Sequence, residues 1–336
     1  MANRIYHVAL IGCGHMGEAH IEDIYYKEDV RIDYVCDLDL DKARIFAKKY
    51  GARKITDRYL ECIHDKKIDI IIIATYPSTH LPMLKECIRY GKHVICEKPI
   101  ATSLEDGREF VDLVKANPQC KVLIGHILRH NKAYQKVAEM IREGAIGFPI
   151  IFRMVQNHHT MDWPKYLKLI KETSPIIDCG VHYMDIMEWF TGSKITYIDA
   201  IGLRTEDDVP LDKYNYGIMT VKLADGSIGY YEAGWSNTIA ADNLKEFIGP
   251  KGRIKLVYRK DRPTHQEEGD LIDYYKYPEK QYETINIQSK RKATGAQFDY
   301  LVDMIENGIE STPTIDEVFE SMKITFEADR KIREKL

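Results

Sequence analysis

The sequence holds no apolar run long enough to cross a membrane. Its most hydrophobic stretch, Ile68–Ala74, falls far short of the roughly 18 residues such a helix needs and carries Asp69 inside it. Neither charge is in large excess: 48 Lys and Arg stand against 52 Asp and Glu, for a net charge of -4. That balance excludes a basic nucleic-acid surface and a polyanionic tail. Paired cysteines are missing as well. Seven cysteines, at 13, 36, 62, 87, 96, 120 and 179, are scattered singly with no Cys-x-x-Cys among them, so reduced and mostly buried thiols are expected. No basic segment, apolar core and small-residue cleavage site precede the first strand pattern, and a cytoplasmic location is expected. Internal repeats and low-complexity tracts are also lacking. What remains is the composition of an ordinary folded chain, 44% hydrophobic and 30% charged. Its 336 residues favour two domains at about 150 residues each, both large enough to bury a core.

Two periodicities divide the chain near residue 125. Before it, β-branched runs without polar alternation (Tyr6–Ile11, Ile32–Cys36, Ile68–Ala74, His93–Cys96 and Val122–Ile124) alternate with helical stretches such as Asp41–Tyr50 and Leu81–Tyr90, the latter stopped by Gly91. Strands covered on both faces read this way, and βαβ alternation predicts a doubly wound parallel sheet over residues 1–125. Past residue 145 the strands lengthen and alternate. Phe148–Gln156, Tyr214–Leu223, Ser227–Trp235, Arg253–Arg259 and Gln281–Ile287 qualify, with Asp225-Gly226 marking a hairpin. Helices are expected at Ala133–Glu143, around Val181–Phe190, at Gln297–Asn307 and from Ile315 onward. The pattern predicts an α+β domain over 126–336 with a large, mostly antiparallel sheet. The polar stretch Asp261–Gln281, with Tyr274, Tyr275 and Tyr277, reads as a surface excursion.

Three constellations carry chemistry. Gly12-Cys13-Gly14-His15-Met16-Gly17 follows the first strand and opens a helix. Its glycines permit a tight turn and close backbone approach to a pyrophosphate, and the helix N-terminus offers free N–H groups. Asp37 ends the next strand twenty residues after Gly17, where a carboxylate accepts from a ribose diol and repels a 2′-phosphate. NAD is therefore preferred to NADP, with Lys42 and Arg44 as the residues that could reverse the choice. Glu97-Lys98-Pro99 follows the strand His93–Cys96. A lysine there can stabilise the alkoxide from which a hydride departs; a surface ion pair before a loop proline is the plain alternative. Asp178-Cys179-Gly180-Val181-His182, with Asp185 beyond, places Asp178 and His182 on one helix face. The histidine can take a hydroxyl proton and the aspartate can orient it; helix capping by Asp178, or a metal, compete with that reading. No Cys pair or His-x-x-x-His supports a metal, and none is expected. Cys179 reads as packing. Asn157-His158-His159 ends a strand and can reach hydroxyls or lie idle, and Trp163-Pro164 with Lys165–Lys171 suits either a lid or a packed surface helix.

Together these motifs resemble the Gfo/Idh/MocA family of oxidoreductases over nearly the whole chain. The resemblance rests also on Ala74-Thr75-Tyr76-Pro77 with His80, on Gly125-His126 through Arg129, and on Gly144-Ala145-Ile146-Gly147. It implies a Rossmann domain joined to a domain with an open sheet face that makes a homodimer or homotetramer. It also implies oxidation or reduction of a ring hydroxyl on a sugar, inositol or related polyol, with Lys98, Asp178 and His182 as the catalytic set. Cofactor contacts would come from Gly12, Gly14, His15, Met16, Gly17, Asp37, Thr75, Tyr76, Pro77, His80, Glu97 and Lys98. Substrate contacts would come from His126, Arg129, Asn157, His158, Asp178 and His182. The chain departs from the family pattern after Arg129, with His130 for an aromatic and Asn131-Lys132 where a proline is usual. Two other functions suit the same motifs: a sugar- and NAD-sensing binding protein, and an enzyme that recycles tightly bound NAD in an isomerising or glycoside-cleaving cycle.

Overall fold

Runs of isoleucine and valine with no polar alternation form strands covered on both faces in the computed structural model, which describes residues 4–258, 270–288, 290 and 292–336. The chain order is β1 (Tyr6–Ile11), α1 (His15–Glu22), β2 (Val30–Cys36), α2 (Leu40–Tyr50), β3 (Lys54–Thr56), α3 (Tyr59–His64), β4 (Ile70–Ile73), α4 (His80–Arg89), β5 (His93–Cys96), α5 (Leu104–Ala116) and β6 (Val122–Ile124). These strands make one parallel six-stranded sheet in the order β3-β2-β1-β4-β5-β6. The order reverses between β1 and β4, and the carboxyl ends of strands beside such a reversal are where open α/β sheets bind ligands. The four isoleucines of β4 are all at most 1% exposed. Helix starts follow their side chains: Asp39 accepts from the Asp41 and Lys42 N–H groups at α2, and Ser103 from Asp106 at α5.

The second half gives α6 (Lys132–Arg142), β7 (Ile151–His159), α7 (Trp163–Glu172), α8 (Pro175–Thr191), β8 (Ile195–Leu203), β9 (Tyr216–Leu223), β10 (Ile228–Ser236), β11 (Lys245–Gly249), β12 (Gly252–Val257), β13 (Asp270–Lys276), β14 (Gln281–Ile287), α9 (Thr294–Asn307) and α10 (Ile315–Arg333). Its eight-stranded sheet runs β14-β13-β12-β11-β7-β10-β9-β8, antiparallel except where β10 meets β7. Alternate residues of the strands, among them Phe152, Met154, Met219, Val221, Tyr231 and Phe247, pack against Val137, Met184, Met187 and Ile324 of the helices. The opposite face shows exposed Tyr197, Ile201, Leu203 and Ile228.

Several expectations shift. The strand expected from Phe148 begins at Ile151, because Gly147 turns at φ +70 and Pro149 has no N–H to give a ladder. The excursion expected over 261–281 lies outside the described residues for 261–269, while Asp270–Lys276 forms β13 between β12 and β14. Strands β3, β8 and β11 are additions to the sequence reading. The division into parts is also more complex than a cut at 125. One unit comprises Met1–Ile127 and Lys292–Phe319, the other Leu128–Arg291 and Glu320–Leu336. Helix α9 thus belongs with the parallel sheet, where Phe298, Leu301 and Met304 share a core with Val8, Leu10 and Ile72. All seven cysteines are free thiols. Among the described residues no helix is long and apolar enough to cross a membrane, and no group of His, Cys, Asp and Glu could hold a metal ion.

Candidate active site

In the first unit the glycine loop is shaped by steric need. Gly12 has φ +100, and a Cβ there would lie 2.4 Å from the Ala74 carbonyl oxygen; at Gly17 it would lie 1.9 Å from the carbonyl oxygen of Gly12. Helix α1 therefore closes onto the strand end. Gly14 faces open space, with nothing within 4 Å of a Cβ, and no side chain caps α1. The first N–H groups of the helix are thus left for an anion. His15 is exposed and its Nε2 lies 2.6 Å from Lys292 Nζ, whereas Met16 is half-buried. Asp37, half-buried at the end of β2, accepts from the Cys13 N–H at 2.8 Å and the Asp39 N–H at 2.9 Å. Those amides fix the carboxylate beside the loop and leave lone pairs to spare. A cradle open at Gly14 and a fixed acid fit a dinucleotide.

Beyond β4, Thr75 Oγ1 and Thr79 Oγ1 share a hydrogen bond of 2.7 Å, Tyr76 is exposed and Pro77 is buried. His80 opens α4. It is fully buried, with Nδ1 2.9 Å from the Pro99 carbonyl and Nε2 3.1 Å from the Thr75 carbonyl. Burial lowers its pKa from the ordinary value, against the opposing effect of the Thr75 and Pro99 carbonyls, and the ring bridges the two loops that carry them. Glu97 is 4% exposed and accepts from His20 Nε2 at 2.8 Å. Burial would raise its pKa, but the His20 hydrogen bond and charge, with Lys98 and His80, bring it below the usual range and keep it a carboxylate. Half-buried Lys98 thus stands between a residue anchored by His20 and one, Pro99, anchored by His80, and the Lys98–Pro99 peptide is cis. His126 follows β6 and is 1% exposed. It adjoins Gly125, whose N–H donates to Cys96 and whose Cα approaches the Glu97 carboxylate so closely that a Cβ would lie 2.9 Å from it.

In the second unit α8 starts at Ser174, which accepts from the Ile177 N–H at 3.2 Å, so Asp178 is not the cap. Half-buried Asp178 and buried His182 lie one turn apart on the helix. Asp185, beyond them, belongs to Arg129: Nε and Nη2 donate to its two oxygens at 2.8 and 2.7 Å, both side chains are buried, and the guanidinium lies 4.8 Å from the Trp189 ring centre. Arg129 is thus held to α8 by a bidentate pair. Asn157 and His158, expected to act together, part at the sheet. Successive side chains of a strand point to opposite faces. Asn157 Nδ2 donates to Glu232 at 2.6 Å on the open face, while His158 turns to the helix-covered face beside Tyr166, with Nδ1 3.2 Å from its hydroxyl. The two side chains therefore do not share one face of the sheet.

Three residues that the sequence reading missed stand on that covered face. Gln156 accepts from the Tyr183 hydroxyl and its Nε2 lies 3.2 Å from His158 Nε2. Lys245, 0% exposed, donates to the Val155 and Leu244 carbonyls and to Asn243 Oδ1 at 2.6, 3.0 and 2.9 Å, and its ammonium lies 4.4 Å from the Tyr183 ring centre. The available signal was the two-residue strand period through Gln156 and His158; nothing local flags Lys245.

Residues 6–126 match the oxidoreductase family with an NAD-binding Rossmann fold, and residues 134–255 match the GFO/IDH/MocA C-terminal domain. The chain belongs to the Gfo/Idh/MocA family of oxidoreductases. It is 25% identical to an inositol 2-dehydrogenase of Rubrobacter xylanophilus over 256 residues, 74% of this chain and 70% of that one. To a scyllo-inositol 2-dehydrogenase (NAD(+)) of Bacillus subtilis it is 27% identical over 251 residues, 73% of this chain and 72% of that one. The crystal structure of apo scyllo-inositol dehydrogenase from Lactobacillus casei shares the fold, with a TM-score of 0.81 at 19% identity over 100% of this chain and 98% of that one.

Proposed function

We propose that this protein is an NAD-linked dehydrogenase that moves a hydride between nicotinamide and a secondary hydroxyl or keto group of a ring polyol, inositols first among them. The observation that carries the reading is the pairing of Asp178 and His182 along α8, next to a face lined with Gln156, His158 and Tyr183, in a chain whose other unit has a dinucleotide cradle. The inositol dehydrogenases named above support the substrate class.

In this reading the N–H groups of His15, Met16 and Gly17 hold the pyrophosphate, Asp37 the ribose diol, and Thr75, Tyr76 and Pro77 flank the nucleotide. When bound, NAD supplies the hydride acceptor. Lys98 stabilises the alkoxide, His182 takes the hydroxyl proton onto its ring, Asp178 orients the ring or a neighbouring hydroxyl, and His126 backs the substrate. NAD is preferred to NADP because the cations near Asp37 are already engaged: Arg44 lies 2.5 Å from Asp41 and Lys42 3.8 Å from Asp39. The exposed apolar face of the second sheet is assigned to a further copy of this chain, as a homodimer or homotetramer. Light scattering of the purified protein and of Ile201→Glu tests that assignment, a smaller species being expected for the variant.

The deciding assay offers NAD or NADP with inositols, aldopyranoses and 2-hydroxy acids, run in both directions. Reduction of NAD by a ring polyol is expected. Preference for a 2-hydroxy acid overturns the substrate class. Cofactor that survives purification without net NADH formation overturns the dehydrogenase reading itself.

A further inference from the structure

Four side chains on the covered face of the second unit form a line: Tyr183, Gln156, His158 and Tyr166. The direction of each hydrogen bond follows from what each group can do. The Tyr183 hydroxyl donates to Gln156 Oε1, so the Gln156 amide nitrogen is the group that faces His158 Nε2, at 3.2 Å. An amide nitrogen only donates, which makes His158 Nε2 the acceptor and puts the ring hydrogen on Nδ1. Nδ1 lies 3.2 Å from the Tyr166 hydroxyl and donates to its oxygen. The phenolic hydrogen of Tyr166 is then turned outward, and among the described residues the hydroxyl has no protein partner besides His158.

We propose that Tyr166 is a substrate-binding residue that donates a hydrogen bond to a polyol hydroxyl next to the one that reacts, and that Gln156 and His158 are positioning residues that fix its polarity. The proposal rests on the dehydrogenase reading above. Position supports it. The ring is held from one side by Trp235, with centroids 5.5 Å apart, and from another by His158 at 6.2 Å, and it packs in the cluster of Ile170, Val209 and Trp235. Burial, together with the nearby charges of Asp178 and Asp162 and the Cys179 thiol, keeps the phenol above its usual pKa, so it stays a donor across the working pH range. Its hydrogen-bond partner, His158, is one of the residues expected to contact the substrate. Helix α7, expected to be either a lid or a packed surface helix, is thereby the element that carries a hydroxyl-reading side chain, Tyr166.

The experiment uses the full chain with NAD, the ring polyol on which it is most active and a set of its single-deoxy analogues. Tyr166→Phe should raise KM for the parent polyol about tenfold, the effect of one hydrogen bond left unmade, with NAD affinity unchanged. One deoxy analogue should be poor for the wild type yet no worse than the parent for the variant. Gln156→Glu should copy the KM rise with Tyr166 in place. At an assay pH that keeps the imidazole neutral, a carboxylate at 156 takes the hydrogen of His158 Nε2, makes Nδ1 the acceptor, and so draws the Tyr166 hydrogen away from the substrate. Combining the two substitutions should add little. Unchanged KM and unchanged discrimination in Tyr166→Phe, with wild-type polyol turnover intact, overturn the role of Tyr166 and leave the dehydrogenase standing. Absence of turnover on every ring polyol by the wild type overturns both.

Discussion

The two sheets present their polar groups in different ways. In the parallel sheet the central strands are covered on both sides, so the groups of interest sit in loops past the strand ends: Gly12–Gly17 after β1, Asp37 after β2, Thr75 after β4 and Lys98 after β5. In the mostly antiparallel sheet they lie within a strand, and adjacent residues such as Asn157 and His158 go to opposite faces. A loop motif keeps its members together in space because they are together in sequence. A strand motif separates its neighbours, and its true partners are two residues apart or on another element.

Substitutions that sort anchoring groups from acting ones sharpen the contrast, and the largest effect should come from Arg129. Replacing it with Met removes the guanidinium from the buried Asp185 carboxylate and should lower stability by about 3–5 kcal/mol, read from the denaturant midpoint. A stable variant with a raised polyol KM would make Arg129 a substrate contact. Lys98→Met and His182→Asn should each reduce turnover by about a hundredfold or more while NAD titrations change little. A collapse of NAD binding in either would make that residue a cofactor ligand.

Motif order explains what could be read in advance. β1, β5, β6 and β14 have the predicted ends, and the glycine loop with Asp37 was legible because steric need and spacing are local. The bracing role of His80 was not legible, since a partner carbonyl nineteen residues away leaves no mark on the local pattern. Nor was the link from Arg129 to Asp185, which joins positions 56 apart. β11 escaped because Lys245, a strand residue of the buried face, carries a charge that distant oxygen partners and the Tyr183 ring help to make tolerable.

Smaller effects test the remaining members of each set. Asp37→Ser should weaken NAD by about 1–3 kcal/mol and narrow its lead over NADP; equal affinities in the wild type would point to Lys42 or Arg44 as phosphate ligands. The His80 brace predicts a pH effect on stability. Its folded-state pKa is depressed from 6.5, so on acidification the unfolded chain takes up the proton first. Stability on its account is therefore complete above that value and is lost as pH falls below it. Urea midpoints should drop between about pH 7.5 and about pH 5.5, and His80→Gln should flatten the drop. His93, also depressed by burial, acts in the same sense in both proteins and cancels. Asn157→Ala should change the polyol KM less than about twofold, because its amide serves Glu232 on the other face. A larger change would place it in the site and erase the contrast between the two sheets.

The return of residues 292–319 to the first unit bears on how the protein is made. A ribosome delivers the parallel sheet early, yet Phe298, Leu301 and Met304, which close its core over Val8, Leu10 and Ile72, emerge only after nearly all the rest. Until then an apolar surface between α1 and the strands stands open to chaperones and to other nascent chains. A message truncated before codon 294 would yield a nucleotide-binding unit with its motifs complete and its core unfinished, so the first unit in the sequence is among the last to be secured.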